Sequence, residues 1–195
     1  MPGESKLLAD PGERTQYNLL RSQHGMVPLS IRTKLRWCAL LGFLAALAAP
    51  IVATLPAAVQ AAYFTGDPTT TRLGAAAAVA VGVAAVAAAS VGLTAVALYV
   101  DRHPDPPEKR VWTLVAVEDA ASVFAFVTGT LGIVSGSALL ASGHWGSDAV
   151  RGLIEFGIRP YLVYEALPVT PRLAAAAGFV VALRALASSV YIDAP

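Results

Sequence analysis

The sequence predicts an all-α, polytopic membrane protein: a bundle of four transmembrane helices, with an interfacial amphipathic helix before the last of them. Three observations carry this. Of 195 residues, 56% are hydrophobic and only 14% charged, against about 25% charged in an ordinary soluble domain. The mean hydropathy is +0.61. The charges are also clustered, and the gaps between clusters reach the roughly 20 residues that cross a hydrocarbon core. A formal charge of +1 with this hydrophobicity excludes disorder and gives no footprint for nucleic acid.

The first 36 residues carry Lys6, Arg14, Arg21, Arg32, Lys34 and Arg36 and are expected to form a basic cytoplasmic segment ahead of a membrane domain spanning 37–192. From Trp37 to Gly66 no Asp, Glu, Lys or Arg occurs, which predicts a first span over about 37–62. Pro50 and Pro56 lack the amide that would bond the carbonyl four residues earlier, so a kink is expected there. Val59-Gln60-Ala61 resembles a small-residue signal cleavage site, but the apolar stretch exceeds a signal h-region and the span is expected to be retained.

The second span is expected over about 73–99. It is nearly a low-complexity helix, with 12 alanines among the 28 residues from Leu73 to Val100. The third is expected over about 112–140, interrupted only by Glu118 and Asp119. It carries Gly129, Gly132 and Gly136, the last two at a G-x-x-x-G spacing. Such residues let helix backbones approach closely where lipid gives no hydrophobic drive. The fourth, about 172–191, contains one charge, Arg184.

Between the third and fourth spans, Arg151, Glu155 and Arg159 recur every four residues beside Val150, Leu153, Ile154 and Ile158. The pattern predicts a helix within 147–165 lying on the membrane surface and ending near Pro160. A fifth crossing would bury Glu155, Arg159 and Glu165, at about 2.5–3.5 kcal/mol for each charge near the membrane centre.

Lys and Arg set the expected orientation. With the N-terminus inside, nine basic residues flank the spans on the cytoplasmic side and four, Arg72, Arg151, Arg159 and Arg172, lie outside. Both termini are therefore expected in the cytoplasm.

Few residues carry chemistry. Glu118, Asp119 and Arg184 are the intramembrane charges, and intramembrane charges are functional suspects. Counting 1.5 Å per residue puts all three about 10 Å from the cytoplasmic end, so an ion pair between Arg184 and the third span is expected, with Asp119 slightly ahead of Glu118 as its partner. His24, His103 and His144 lie in separate segments, and the loop 101–110, with three carboxylates and His103, has no ligand spacing, so no metal or other cofactor is expected. Cys38 is alone, excluding an internal disulfide. Ser135 misses the nucleophile elbow, and no phosphate-binding or dinucleotide fingerprint occurs. The expected role is a non-enzymatic scaffold or accessory subunit, with the lipid bilayer and other membrane proteins or a second copy as partners. The competing expectation is a channel or transporter component using Glu118, Asp119 and Arg184.

Overall fold

The computed structural model describes residues 16–27, 29–103, 106–164 and 167–192. Lys6, Arg14 and Glu165 lie outside them. The described chain is all helical apart from an isolated antiparallel bridge between Leu73 and Val163. Four helical stretches are long and apolar enough to cross a membrane: Ile31–Ala53, Gly74–Arg102, Glu108–Trp145 and Pro171–Tyr191. They pack as a four-helix bundle whose length and composition suit a membrane. One end of the bundle gathers Arg21, Arg32, Lys34, Arg36, Arg102, Lys109 and Arg110 and is here the basic end; the other is the far end.

The chain enters through a short helix, α1 (Gln16–His24), then α2 (Ile31–Ala46) and α3 (Ala48–Ala53). Ser30 caps α2, its hydroxyl accepting from the Thr33 amide, so the first span begins six residues before the expected Trp37. Residues 31–36 thus belong to the bundle rather than to a basic tail. The expected proline effect is seen at both sites. Pro50 cannot donate to Ala46, the ladder breaks at Leu47, and the Leu47 amide bonds Leu44 at 3.1 Å instead. Pro56 ends the span, and 57–63 forms a separate helix, α4 (Ala57–Tyr63). Within α4, Val59 is fully buried.

The second span is α5 (Gly74–Arg102). The third is composite: α6 (Glu108–Phe124), a π turn at Ala125–Gly129, α7 (Thr130–Ala141) and a 3₁₀ turn at Ser142–Trp145. The amphipathic helix expected within 147–165 is α8 (Ser147–Glu155), shorter than its charge pattern implied. Gly157, at φ +83°, turns the chain, and the Gly157 and Ile158 amides bond Ile154 and Leu153, both at 2.9 Å. Arg159 therefore lies beyond the helix, and nine residues are too few for a fifth crossing. The last span is α9 (Pro171–Tyr191), capped by Thr170, whose hydroxyl accepts from the Leu173 amide, with Pro171 in its first turn.

Small residues determine which helices touch. α2 packs along α9, and α5 along α7. A Cβ at Gly42 would lie 2.8 Å from the Gly178 carbonyl oxygen, and one at Gly178 2.8 Å from the Gly42 oxygen. Across α5 and α7, a Cβ at Gly132 would lie 2.7 Å from the Ala78 oxygen and one at Gly136 2.7 Å from the Ala75 oxygen. At Gly129 it would meet Val86 Cγ2 at 2.7 Å. Three positions of the third span thus meet α5 where no side chain fits.

The far end is closed by aromatic rings and neutral hydrogen bonds. Tyr161 is buried beside Tyr63 and Phe64, with ring centroids 5.7 and 5.1 Å away. Its hydroxyl accepts from the Gly143 amide at 2.8 Å and donates to the Leu140 carbonyl at 3.1 Å, which caps the third span. Burial pushes the Tyr161 phenol up. His144 Nε2 sits 3.0 Å from the Ile51 carbonyl at the end of the first span. Around this plate Trp145, Phe156, Ile158 and Tyr164 stay exposed, as suits a membrane–water boundary.

Candidate functional site

Near the basic end a buried ionic cluster joins three segments of chain. Its centre is Glu118, on the inward face of α6 with Val111, Leu114, Val115 and Ser122. These positions recur every three or four residues, so the helical period itself turns the carboxylate toward the core. Glu118 is 1% exposed. Lys34, in the first turn of α2, is fully buried beside it and donates from Nζ to Oε1 at 2.6 Å. The Tyr17 hydroxyl of α1 donates to Oε2. Arg21 Nε lies 3.0 Å from Oε1, the two facing each other as charges without an aligned hydrogen bond. Ser122 Oγ donates to the Glu118 carbonyl at 2.6 Å.

The acid therefore has a lysine, an arginine and a phenol around it. A buried carboxylate is tolerable only when paired and hydrogen-bonded. Burial, then the hydrogen bond to Glu118, push the Tyr17 phenol well above its ordinary range, so it remains a protonated donor at neutral pH. Asp119 points elsewhere and accepts from the Met26 amide at 3.0 Å, in the turn between α1 and α2. His24 meets Trp112 edge-on, with centroids 5.0 Å apart, and Arg21 Nη2 donates to the Leu29 carbonyl. Together these contacts strap α1 and the following turn across α6. A cleft of about 410 Å³ opens beside the strap, lined in part by Tyr17, Arg21, Arg32 and Asp101.

The expected pairing with Arg184 is not the one formed. Among the described residues Arg184 faces no carboxylate; its Nη1 donates to Ser90 Oγ of α5 at 3.4 Å. Two physical reasons account for the difference. α9 packs against α2, α3 and α5, whereas α6 packs against α5 and α1. α2 also starts earlier than expected, which brings Lys34 into the bundle as a nearer cation. The paired acid is thus Glu118 rather than the slightly favoured Asp119, and its partners Tyr17, Arg21 and Lys34 were not expected. The signal for Lys34 was available. Ser30 is a good N-cap, and from it Ile31, Lys34, Leu35, Cys38, Leu41 and Gly42 fall on one helical face. No local signal marks Tyr17 or Arg21.

The remaining candidates are scattered. His103 stacks on Tyr99, and the three histidines stay apart. Among the described residues no three His, Cys, Asp or Glu side chains come together as a metal site would need. Asp105 lies outside the described residues. Ser137 Oγ is buried in α7 without a hydrogen-bond partner among the described residues. Compared with known proteins, the chain matches no family model, no curated protein and no solved structure.

Proposed function

We propose that the chain is a non-catalytic scaffold or accessory subunit of a membrane complex, with both termini on the cytoplasmic side. One observation carries the reading: the intramembrane acid Glu118 is enclosed by Tyr17, Arg21 and Lys34 of its own chain. A carboxylate held this way ties α1, α2 and α6 together instead of standing open to a solute. The third and fourth spans leave large apolar side chains on the outside, including Phe124, Val127, Leu131, Val180 and Leu183, as surface for lipid or for other helices. Nine basic residues at the N-terminal side of the spans against four at the other support the orientation.

A second reading, a channel or transporter component, is favoured by the π turn at Ala125–Gly129 and by the Ser137 hydroxyl, which has no partner among the described residues, since π turns recur at functional sites. Purified protein reconstituted in vesicles separates the two. Stable association with a membrane partner and no ion or solute flux is the outcome expected of the scaffold. Flux abolished by Asp119→Asn would replace it with the transporter. Tags at each terminus, probed from either side of the membrane, test the orientation.

A further inference from the structure

Among the described residues Arg184 faces no carboxylate, and its one polar partner is the Ser90 hydroxyl. Its depth makes this consequential. α9 runs from Pro171 to Tyr191, so Arg184 lies three residues past its middle, about 4.5 Å along the axis. The group it reaches, Ser90, lies two residues past the middle of α5, about 3 Å. The guanidinium is therefore close to mid-membrane. The Arg184 side chain is exposed at the edge of the outward face of α9, beside the exposed Val180 one turn earlier and next to Leu183, while its guanidinium reaches in to the buried Ser90.

Escape to the basic end is disfavoured by helix geometry. Cα–Cβ bonds tilt toward a helix N-terminus, and the N-terminus of α9 is at the far end. The side chain starts away from the nearer headgroups, and the Ser90 hydroxyl holds it at mid-depth. A lipid phosphate at the surface is the wrong height for it. A second copy is a poor match too: Glu118 is enclosed by its own chain, and Asp119 is already engaged by the Met26 amide. An arginine left in hydrocarbon is costly.

We infer that the Arg184 face of α9 is the docking site for a transmembrane helix of another protein that carries an aspartate or glutamate near its middle. The inference rests on the scaffold reading and names the chemistry of the partner. The interaction is a charge-assisted pair in lipid, with the exposed Val180 and Leu183 packing against the incoming helix.

A model peptide provides the test. The full chain is reconstituted in phosphatidylcholine vesicles with a leucine–alanine transmembrane peptide bearing Glu, Gln or Leu at its centre, and association is read by energy transfer between labels. The Glu peptide is expected to associate about fivefold to thirtyfold more tightly than the Leu peptide, the range of interhelical polar contacts in lipid. Arg184→Leu should remove the preference, and Arg184→Glu should transfer it to a peptide with a central Lys. Equal association of all peptides would overturn the inference, as would a preference that persists in Arg184→Leu. So would loss of the preference when phosphatidylglycerol replaces part of the lipid, or energy transfer between copies of the chain that depends on Arg184. Solute flux would instead count against the scaffold reading alone, because the peptide preference is read independently of it.

Discussion

The two ends of the bundle solve the same problem in opposite ways. Each must hold together helices whose middles touch mainly through glycine and alanine. The basic end uses charge: Glu118, Lys34 and Arg21, with the Tyr17 hydroxyl completing the shell. The far end uses a neutral ring, Tyr161, with two hydrogen bonds to the terminus of the third span and two aromatic neighbours. Ionic closure is directional and fails badly when one partner is lost. Neutral closure is weaker per contact but degrades gently. The contrast predicts a bundle that is brittle at one end and tolerant at the other.

The sharpest way to break this contrast is at Lys34. Lys34→Ala leaves Glu118 short of its closest cation and should cost about 3–5 kcal/mol, the usual penalty for half a buried pair. Thermal unfolding in mild detergent would register it, and replacing both residues with methionine should restore most of the loss. Next in size is the middle. Gly132→Leu forces a side chain into a space where even a Cβ would be 2.7 Å from the Ala78 oxygen. A cost of about 1–3 kcal/mol is expected, with a larger distance between labels on α5 and α7. At the far end, Tyr161→Phe keeps the ring and removes only the hydrogen bonds. It should cost about 1–2 kcal/mol and speed hydrogen exchange at the Gly143 amide.

The smallest effect belongs to Asp67. The Thr69 hydroxyl and amide, at 2.7 and 2.8 Å, hold its carboxyl below the ordinary range. A lowered carboxylate contributes stability above its unfolded pKa and loses it as pH falls through the folded one. Protection of the Thr69 amide against exchange, relative to its intrinsic rate, should therefore fall only in acid, while the melting temperature barely moves.

Legibility in the sequence followed the same division. Long uncharged runs gave the four crossings, because a solvent that cannot hydrogen-bond leaves few alternatives. Pro50 and Pro56 marked the break and the end of the first span for a stated chemical reason. Glu118 was visible as an anomaly, but its partners come from α1 and the first turn of α2, some 84 to 101 positions away. Pairing across that separation depends on which helices are neighbours, and periodicity does not encode neighbours. Charge density marks a boundary at residue 37, whereas the helix starts at its Ser30 cap, so Lys34 is buried in the bundle. The π turn has no signature in composition. The charges of 151–159 did follow a helical period, but Gly157 ended the helix before Arg159 joined it.

The most direct test of the account is a pair of double-mutant cycles read by unfolding in the same detergent, one between Lys34 and Glu118 and one between Arg184 and Glu118. A coupling of about 2 kcal/mol or more in the first and none in the second is the predicted result. Coupling confined to Arg184 and Glu118 would contradict it, returning the acid to the fourth span and leaving α1 without its anchor.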